Sequence, residues 1–524
     1  MIGTLAFSLE KKTLNKNLSL AINLISSLVA FGANIIINFF LSPYIVKELG
    51  VEANGYITLA NNFVSYASLA TIALNSMAGR FITIKIYNND IHGANIYYSS
   101  LTFANMFFSL IMLIPSIGVI WYLENLINIS SHLLWDVKLL FFFLFINFLI
   151  STAFSSWGTA TFVTNRLYLQ SLRTMSSQVL RVIVIIGLFI LFNPSVYYVG
   201  IGTLISTLYF TCYSFYYKKK LLPDLRFNKE SFRLIAIIEL IKSGIWNTIT
   251  QAGVLLLSGL DLLIANIFIG SKEMGLLALS KILPNVMTQL SGTITSVFTP
   301  TLTIKYAEKD FDGLKIELKK SMKLLGVIFT IPLSILIGLG KEFYVLWVPS
   351  ENSDVLHVLS IFAILGFVFT SGIQSLYNVF TVVNKLKLNS ILILLSGVIS
   401  TAIVLILLKT TNLNMFAVAA VSSGINLIRN LAFTVPFAAR YLNLKWYTFF
   451  PEVFYSVISV IVSLLISYIV KKFITIDSWT LLVICSVLIA VSTFVINCLI
   501  ILNNKERAYL VDIFKRKILL TNKK

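Results

Sequence analysis

The sequence predicts an all-α integral membrane protein with about fourteen transmembrane helices, arranged as two parallel six-helix bundles followed by two C-terminal helices. Three observations support this fold class. Hydrophobic residues make up 57% of the 524 residues and charged residues only 12%, whereas a soluble domain carries about 25% charged residues. Apolar stretches of helical length recur along the whole chain. One segment is also repeated in register, which indicates two related halves.

The apolar stretches give the predicted helices. A span needs about 20 apolar residues, and runs such as 139–154 are apolar on all sides, which favours helices over the alternating strands of a β-barrel. Both termini then lie on one side of the membrane. The predicted spans are 18–46, 54–79, 95–120, 134–160, 168–191, 196–217, 239–268, 274–300, 321–345, 355–381, 386–408, 413–437, 452–473 and 478–502.

The repeat defines the predicted domains. Gly50 to Asp90 aligns without a gap on Gly270 to Asp310, with 8 identical residues in 41 positions, where about three would be expected from this composition. Lys85 and Lys305 fall on the same predicted side, so the halves should run parallel around an axis along the membrane normal. The predicted domains are an N-terminal bundle over 1–217, a basic cytoplasmic linker over 218–238, a C-terminal bundle over 239–445, and two additional helices with a basic tail over 446–524.

The basic residues indicate the orientation. Of the 41 lysines and arginines, 30 fall in the segments on the side of the N-terminus and six in the opposite loops, so both termini should be cytoplasmic. The inner set includes Lys11, Lys12, Lys16, Lys218 to Lys220 and the tail from Lys505; the outer six are Lys47, Lys272, Lys341, Lys409, Lys471 and Lys472. A net charge of +19 could indicate nucleic-acid binding. The basic residues lie in short clusters between apolar segments, however, and this distribution argues against it.

Cysteine and histidine give no sign of a cofactor. The three cysteines lie in apolar stretches without CxxC spacing, and the three histidines are scattered near span ends. Neither a disulfide framework nor a metal site is predicted.

Arginines within the spans suggest an anion site. Arg173 and Arg181 lie on the fifth predicted span and Arg166 just before it, and their spacing predicts a basic stripe that rises toward the midplane. Arg429 lies at the same predicted depth in the second bundle. Intramembrane charges usually face a bundle interior, and the guanidinium fork suits phosphate oxygens. Arg173, Arg181 and Arg429 are therefore candidate ligands for a phosphate-bearing substrate. The alternative is that Arg173 reaches the headgroups and the others bond to backbone carbonyls.

Asp261 and Lys281 are the second candidate group. They lie on either side of the outer turn around Gly270, at similar predicted depth on consecutive helices. This arrangement predicts an ion pair that could act as an outer gate or as a static link between the helices. Lys281 could also contact the substrate.

Two segments carry a resemblance to a known family. The stretch from Leu41 to Tyr56, and Met77-Ala-Gly-Arg80 with the Thr-Ile-Lys that follows, resemble the polysaccharide transport (Wzx-type) family of the multidrug/oligosaccharidyl-lipid/polysaccharide superfamily. The resemblance implies a flippase, not an enzyme, that moves an undecaprenyl-diphosphate-linked oligosaccharide outward across a bacterial plasma membrane for capsule, O-antigen or exopolysaccharide synthesis. It adds Arg80 to the candidate substrate-binding residues. Membrane lipids and the polymerase and glycosyltransferases of the same pathway are the implied partners.

Two other functions compete with this interpretation. A drug/cation antiporter of the related extrusion family would need intramembrane carboxylates, yet one deep acid, Asp261, is outnumbered by the intramembrane basic residues Lys138, Arg181, Lys242, Lys281 and Arg429. A membrane glycan polymerase or ligase would need a large outer loop with catalytic groups, and the predicted outer loops are short. The first predicted span carries no arginine, unlike the lipid II flippase branch, which disfavours transport of a peptidoglycan precursor.

Overall fold

The computed structural model describes residues 16–501 and Arg507. Lys11, Lys12 and the predicted basic tail, except for Arg507, lie outside the described residues. The chain divides into two compact units, unit 1 (Met1–Ala252) and unit 2 (Gly253–Lys524). Within the described part, all regular secondary structure is helical.

The described part of unit 1 contains nine α-helices with short 3₁₀ turns between some of them. The 3₁₀ turns are Ser131–Leu133, Ser155–Gly158 and Lys229–Ser231. The α-helices are α1 (Lys16–Leu49), α2 (Val51–Tyr87), α3 (Ile91–Trp121), α4 (Leu123–Leu126), α5 (Leu134–Ala153), α6 (Thr159–Val163), α7 (Leu167–Leu191), α8 (Tyr197–Leu221) and α9 (Leu234–Val254), the last of which ends just inside unit 2.

Unit 2 contains twelve described α-helices and two π-helical turns. The π turns are Leu255–Gly259 and Asn430–Thr434, and a 3₁₀ turn covers Gly372–Leu376. The α-helices are α10 (Asp261–Phe268), α11 (Ser271–Ser280), α12 (Ile282–Ser296), α13 (Thr299–Ala307), α14 (Phe311–Trp347), α15 (Ser353–Thr370), α16 (Tyr377–Val382), α17 (Leu386–Thr410), α18 (Asn414–Arg429), α19 (Val435–Tyr441), α20 (Phe450–Phe473) and α21 (Trp479–Ile500).

The all-α membrane fold is confirmed. Among the described residues, twelve helical segments are long and apolar enough to cross a membrane. The number fourteen stays a prediction, because two predicted spans are not among these twelve. One corresponds to α8, which ends in Lys218 to Lys220. The other, 274–300, is interrupted at Lys281 and again at 297–298, so that it forms α11, α12 and the start of α13.

The segment between α8 and α9 contributes side chains to the core of unit 1. Leu222 and Leu225 are buried in a cluster with apolar residues of α2 and α3. Asn95 donates to the carbonyl of Asp224 at 3.2 Å and accepts from the backbone of Arg226 at 2.8 Å. Most of the predicted basic linker is therefore held against α3 by buried side chains and hydrogen bonds.

The core of unit 2 centres on α14, which packs along α20. Ion pairs join the two helices near both ends of α20: Lys319 to Glu452 at 2.9 Å and Lys471 to Glu342 at 2.7 Å. Gly338 lies between them, and a Cβ atom there would be only 2.4 Å from the Cβ of Ser467. The absence of a side chain at Gly338 therefore allows the two helices to approach closely.

The repeated segment ends in the same structure in both units. Asp90 caps α3 by accepting from the backbone of Gly93 at 2.7 Å and from Lys85 at 2.8 Å. In unit 2, Asp310 caps α14 and accepts from Gly313 at 2.8 Å and from Lys305 at 2.7 Å. The carboxylate satisfies an N–H group that the helix leaves open. The identical residues found in the sequence thus form the same N-terminal helix cap in both units.

A second repeated turn also keeps sequence identity, because five residues match at an offset of 219 positions: Val163, Asn165, Leu167, Leu169 and Ser171 correspond to Val382, Asn384, Leu386, Leu388 and Ser390. Asn165 and Asn384 have φ of 52° and 56°, the left-handed region that asparagine tolerates better than most residues. In each case the next backbone N–H, that of Arg166 or Lys385, donates at 2.8 Å to the carbonyl five residues earlier. A helix of 25 residues follows each turn, α7 in unit 1 and α17 in unit 2.

Candidate functional site

The Asp261–Lys281 ion pair predicted from the sequence is present in unit 2. Asp261 begins α10 directly after the π turn, and Lys281 lies at the break between α11 and α12. The Asp261 side chain is 4% exposed and that of Lys281 12%. The ammonium also approaches the carbonyl of Ser258 at 3.5 Å, within the same π turn. The two helix irregularities thus bring opposite charges together away from water.

Arg429 lies beside the second π turn. It is the last residue of α18, and the turn Asn430–Thr434 follows it immediately. Nη2 donates to the Tyr377 hydroxyl at 2.8 Å and to Oδ1 of Asn426 at 2.6 Å. Among the described residues, no carboxylate pairs with this guanidinium, and its buried Nε and Nη1 have no hydrogen-bond partner. Arg429 therefore keeps donor capacity for an anion.

Tyr377 orients Arg429 from the adjacent helix. Its hydroxyl donates to Oδ1 of Asn430 at 2.5 Å, and its ring lies 5.7 Å from the guanidinium carbon of Arg429. The sequence prediction of one continuous span over 355–381 does not identify Tyr377 as a site residue. The chain instead forms a 3₁₀ turn at Gly372–Leu376, and α16 begins at Tyr377. The glycine and serines in Ser371-Gly-Ile-Gln-Ser375 were the available signal for this interruption.

Lys281 and Arg429 line one cavity of about 360 Å³ in unit 2. Apolar residues form part of its wall, including Leu257, Pro284 and Phe367. The polar residues of the wall are uncharged apart from the two cations: Ser258, Asn285, Thr288, Gln374, Tyr377, Ser422, Ser423 and Asn426. No acidic residue belongs to the described lining, although Asp261 pairs with Lys281 and offsets its charge. The cavity thus presents one uncompensated cation, Arg429, one paired cation, Lys281, and several hydrogen-bonding groups, an arrangement suited to an anion.

The π turns help to explain why polar side chains meet at this cavity inside an apolar unit. A π turn inserts one residue into an α-helix and shifts the side chains that follow, and such turns recur at functional sites. In unit 2 one π turn precedes Asp261 and the other follows Arg429. The described residues of unit 1 form no π turn.

In unit 1, Arg181 is half-buried on α7. Its Nη2 donates to Oδ1 of Asn38 at 3.3 Å, and its buried Nε has no partner among the described residues. Asn38 is oriented by its own bonds to Asn34, at 3.0 and 2.7 Å. Arg181 resembles Arg429 in having an amide neighbour, unused donor capacity and no carboxylate partner.

Arg173 has different surroundings. It is 4% exposed, and its guanidinium carbon lies 5.2 Å from the Phe210 ring and 5.0 Å from the Tyr217 ring. Nη1 donates to the Ser214 hydroxyl at 3.2 Å. These three contacts are all on α8, whereas the contact of Arg181 is on α1. The predicted continuous stripe is therefore wrong: residues eight positions apart are about 80° apart around the helix, which is enough for them to face different neighbours.

The remaining candidate cations are at the surface or paired. Arg80 on α2 and Arg166 at the start of α7 are exposed. Lys138 pairs with Glu124 at 2.8 Å. The structure therefore brings Lys281 and Arg429 together in unit 2 and leaves Arg80, Arg173 and Arg181 at separate locations in unit 1.

Comparisons with known proteins agree with this fold. No family profile matches the chain. The chain is 27% identical over 496 residues to the uncharacterized membrane protein EpsK of Bacillus subtilis (strain 168), covering 94% of this chain and 98% of that protein.

Solved structures of MOP superfamily transporters have the same fold. The lipid II flippase MurJ in an inward closed conformation matches with a TM-score of 0.64 at 15% identity, covering 94% of this chain and 99% of that one. An inward-facing multidrug resistance MATE transporter matches with a TM-score of 0.61 at 14% identity, covering 78% and 94%. A Pyrococcus furiosus MOP transporter, described as having a binding pocket of reverse polarity, matches with a TM-score of 0.62 at 13% identity. The match covers 81% of this chain and 95% of that one. The chain is a multi-pass membrane protein with the MOP transporter fold.

Proposed function

We propose that this protein is a flippase that moves an undecaprenyl-diphosphate-linked oligosaccharide across a bacterial plasma membrane by alternating access. The observation that carries the proposal is the unit 2 cavity, in which Arg429 has no carboxylate partner among the described residues and lies with the paired Lys281 in a described lining that holds no carboxylate. A diphosphate carries the complementary charge, and a lipid anchor would keep its carrier in the bilayer. Arg181 is proposed as a further phosphate contact in unit 1.

The chemistry of the cavity distinguishes substrate classes. A cation would meet Arg429, which has no carboxylate partner among the described residues, beside Lys281, whose charge Asp261 offsets, and like charges in a low-dielectric site repel strongly. An anionic headgroup would instead satisfy the open donors of Arg429. The amide and hydroxyl groups around them, such as Asn285, Gln374 and Asn426, can bond to sugar hydroxyls next to the phosphates.

The fold permits either substrate class. The similar structures include a lipid II flippase and multidrug transporters, and the Pyrococcus furiosus transporter is described as having reversed pocket polarity. Within this fold the charge of the pocket is therefore the more informative feature, and it supports an anionic lipid-linked substrate over a cationic drug. Glycosyltransferases that assemble the glycan on its carrier and a polymerase that consumes it are the functional partners that the proposal implies.

A complementation experiment tests the proposal. Cells that lack the protein should accumulate a polyprenyl-diphosphate-linked glycan, identified by mass spectrometry of extracted lipids. Wild-type protein and Lys409→Gln, a variant at an exposed lysine near the end of α17, should clear this lipid, whereas Arg429→Gln should not. Loss of ethidium efflux without accumulation of a lipid-linked glycan would overturn the proposal in favour of a cation antiporter.

A further inference from the structure

A second cavity of unit 2, separate from the candidate site, opens between α14 and α20. Its volume is about 530 Å³, and its lining consists of Ile337, Gly338, Leu464, Tyr468, Lys471 and Lys472. The helices are in close contact where Gly338 meets Ser467, and the groove lies alongside this contact. It combines apolar walls with two amines from consecutive positions.

The two lysines of the groove differ in their surroundings. Lys471 pairs with Glu342 at 2.7 Å and donates to the carbonyl of Gly338 at 3.1 Å, so its charge is offset and its position is fixed. Lys472 is exposed, and within the described residues it forms no ion pair, either with Asp477 five positions later or with any other acid. Nearby Lys341 is paired with Asp354 at 2.8 Å. The groove therefore carries one uncompensated positive charge.

The surface around the groove is apolar and exposed. Leu465, Tyr468 and Phe473 on α20 are 58%, 71% and 79% exposed, on a helix apolar enough to span the membrane. A tyrosine next to lysines at the end of such a helix is typical of the headgroup level. A ligand in the groove would thus have its apolar part along Leu464 and its polar part at Lys472.

We propose that this groove binds an anionic phospholipid of the leaflet that the C-terminal end of α20 reaches. One uncompensated cation matches the single negative charge of a phosphodiester headgroup such as that of phosphatidylglycerol. A zwitterionic lipid would bring its own ammonium group close to Lys472 and so lose most of this attraction. Basic sites between transmembrane helices are known to hold acidic lipid headgroups. The proposal is independent of the transported substrate.

Native mass spectrometry of the purified, delipidated full-length protein tests it. The protein would be titrated with palmitoyl-oleoyl phosphatidylglycerol or with the matching phosphatidylcholine. In each titration the affinity for the first lipid molecule that binds would be measured. We expect phosphatidylglycerol to bind about fivefold more tightly, the effect of one lysine at a membrane surface. Lys472→Gln should remove this preference, and Lys409→Gln, at another exposed lysine of unit 2, should keep it.

Two results would overturn the lipid site. One is equal affinity of the wild-type protein for both lipids. The other is a preference for phosphatidylglycerol that falls equally in Lys472→Gln and Lys409→Gln, because that would reflect overall charge. Since Lys472 is exposed and has no ion pair in the described structure, Lys472→Gln should unfold at the wild-type temperature, which the same samples can verify.

Discussion

Units 1 and 2 share two turns but differ in the surroundings of their buried cations. In unit 1, Arg173 is surrounded by Phe210, Tyr217 and Ser214 of α8, and its charge is used in packing. In unit 2, Lys281 and Arg429 line a cavity beside π turns. The comparison indicates that the two units share their capping turns, whereas unit 2 places two of its cations at a polar cavity.

The neutral polar network of unit 1 extends the contrast. Asn75 on α2 and Asn105 on α3 exchange side-chain hydrogen bonds at 3.1 and 2.9 Å, and both bond to the hydroxyl of Ser155. These groups satisfy one another and leave little donor capacity for a ligand. In unit 2 the 3₁₀ turn that corresponds to Ser155–Gly158 is followed by Tyr377, which faces the cavity and contacts Arg429. These buried polar groups of unit 1 thus bond to one another, whereas Tyr377 of unit 2 bonds to a residue that lines the cavity.

The largest expected effect comes from breaking the buried ion pair. Lys281→Met would leave the carboxylate of Asp261 buried without its partner, which costs about 3–5 kcal/mol. We expect a clear fall in the thermal unfolding midpoint together with loss of transport. The double variant Asp261→Lys/Lys281→Asp should recover most of the stability, because the opposite charges still meet, but not transport, because the cation has moved away from the cavity. Wild-type transport by this charge swap would show that the pair is only a static link.

Arg429→Gln should act on transport more than on folding. A hydrogen bond to a charged group contributes about 1.5–3 kcal/mol, so we expect the rate of lipid-linked substrate transport to fall about 10- to 100-fold. Arg429→Lys should be intermediate, since it keeps the charge without the planar fork. The rate would be measured in cells that express equal amounts of each variant. A wild-type rate in Arg429→Gln would remove this residue from the site.

Arg173→Gln tests the contrasting role in unit 1. The substitution removes the contacts with Phe210 and Tyr217, so we expect a loss of about 1–2 kcal/mol in stability and a transport rate within twofold of wild type at equal expression. The matched variant Arg181→Gln should show the reverse, with little change in the unfolding midpoint and reduced transport. If Arg173→Gln abolished transport while stability was unchanged, Arg173 would belong to the substrate site, as the sequence first suggested.

The smallest effects should be equal in the two units. Lys85 and the backbone of Gly93 lower the pKa of the Asp90 carboxyl, and Lys305 and Gly313 do the same for the pKa of Asp310. A lowered folded-state pKa contributes stability above the unfolded value, about 3.9, and this contribution is lost as the pH falls through the folded-state pKa. Asp90→Asn and Asp310→Asn should therefore each slightly lower the unfolding midpoint at pH 7. The difference from wild type should disappear at acidic pH, and unequal losses would contradict the equivalence of the two caps.

Several features could be predicted from the sequence because they depend on local composition or direct identity. Apolar segment length gives the membrane helices, and eight identical residues reveal the duplication that ends at Asp90 and Asp310. The Asp261–Lys281 pair was predictable because both residues flank a single turn. The equivalence of Asn165 and Asn384 is also visible as identity in the flanking residues, but the left-handed backbone of the two asparagines comes from the structure alone.

The cavity itself depends on contacts between distant segments. Tyr377 reaches Arg429 across 52 positions, and the π turns that precede Asp261 and follow Arg429 leave no reliable mark in a hydrophobic sequence. The expectation of a single arginine stripe failed for a related reason. Helical periodicity gives the direction of Arg173 and Arg181 on α7 but not which neighbouring helix each side chain meets.

The most direct test is the binding of undecaprenyl diphosphate to the purified protein, with neutral undecaprenol as the matched ligand. The account predicts that the wild-type protein prefers the diphosphate by at least tenfold and that Lys281→Gln/Arg429→Gln loses this preference, while Lys409→Gln retains it. Equal affinity for the diphosphate and the neutral alcohol, or an unchanged preference in the double variant, would contradict an anion-binding cavity in unit 2.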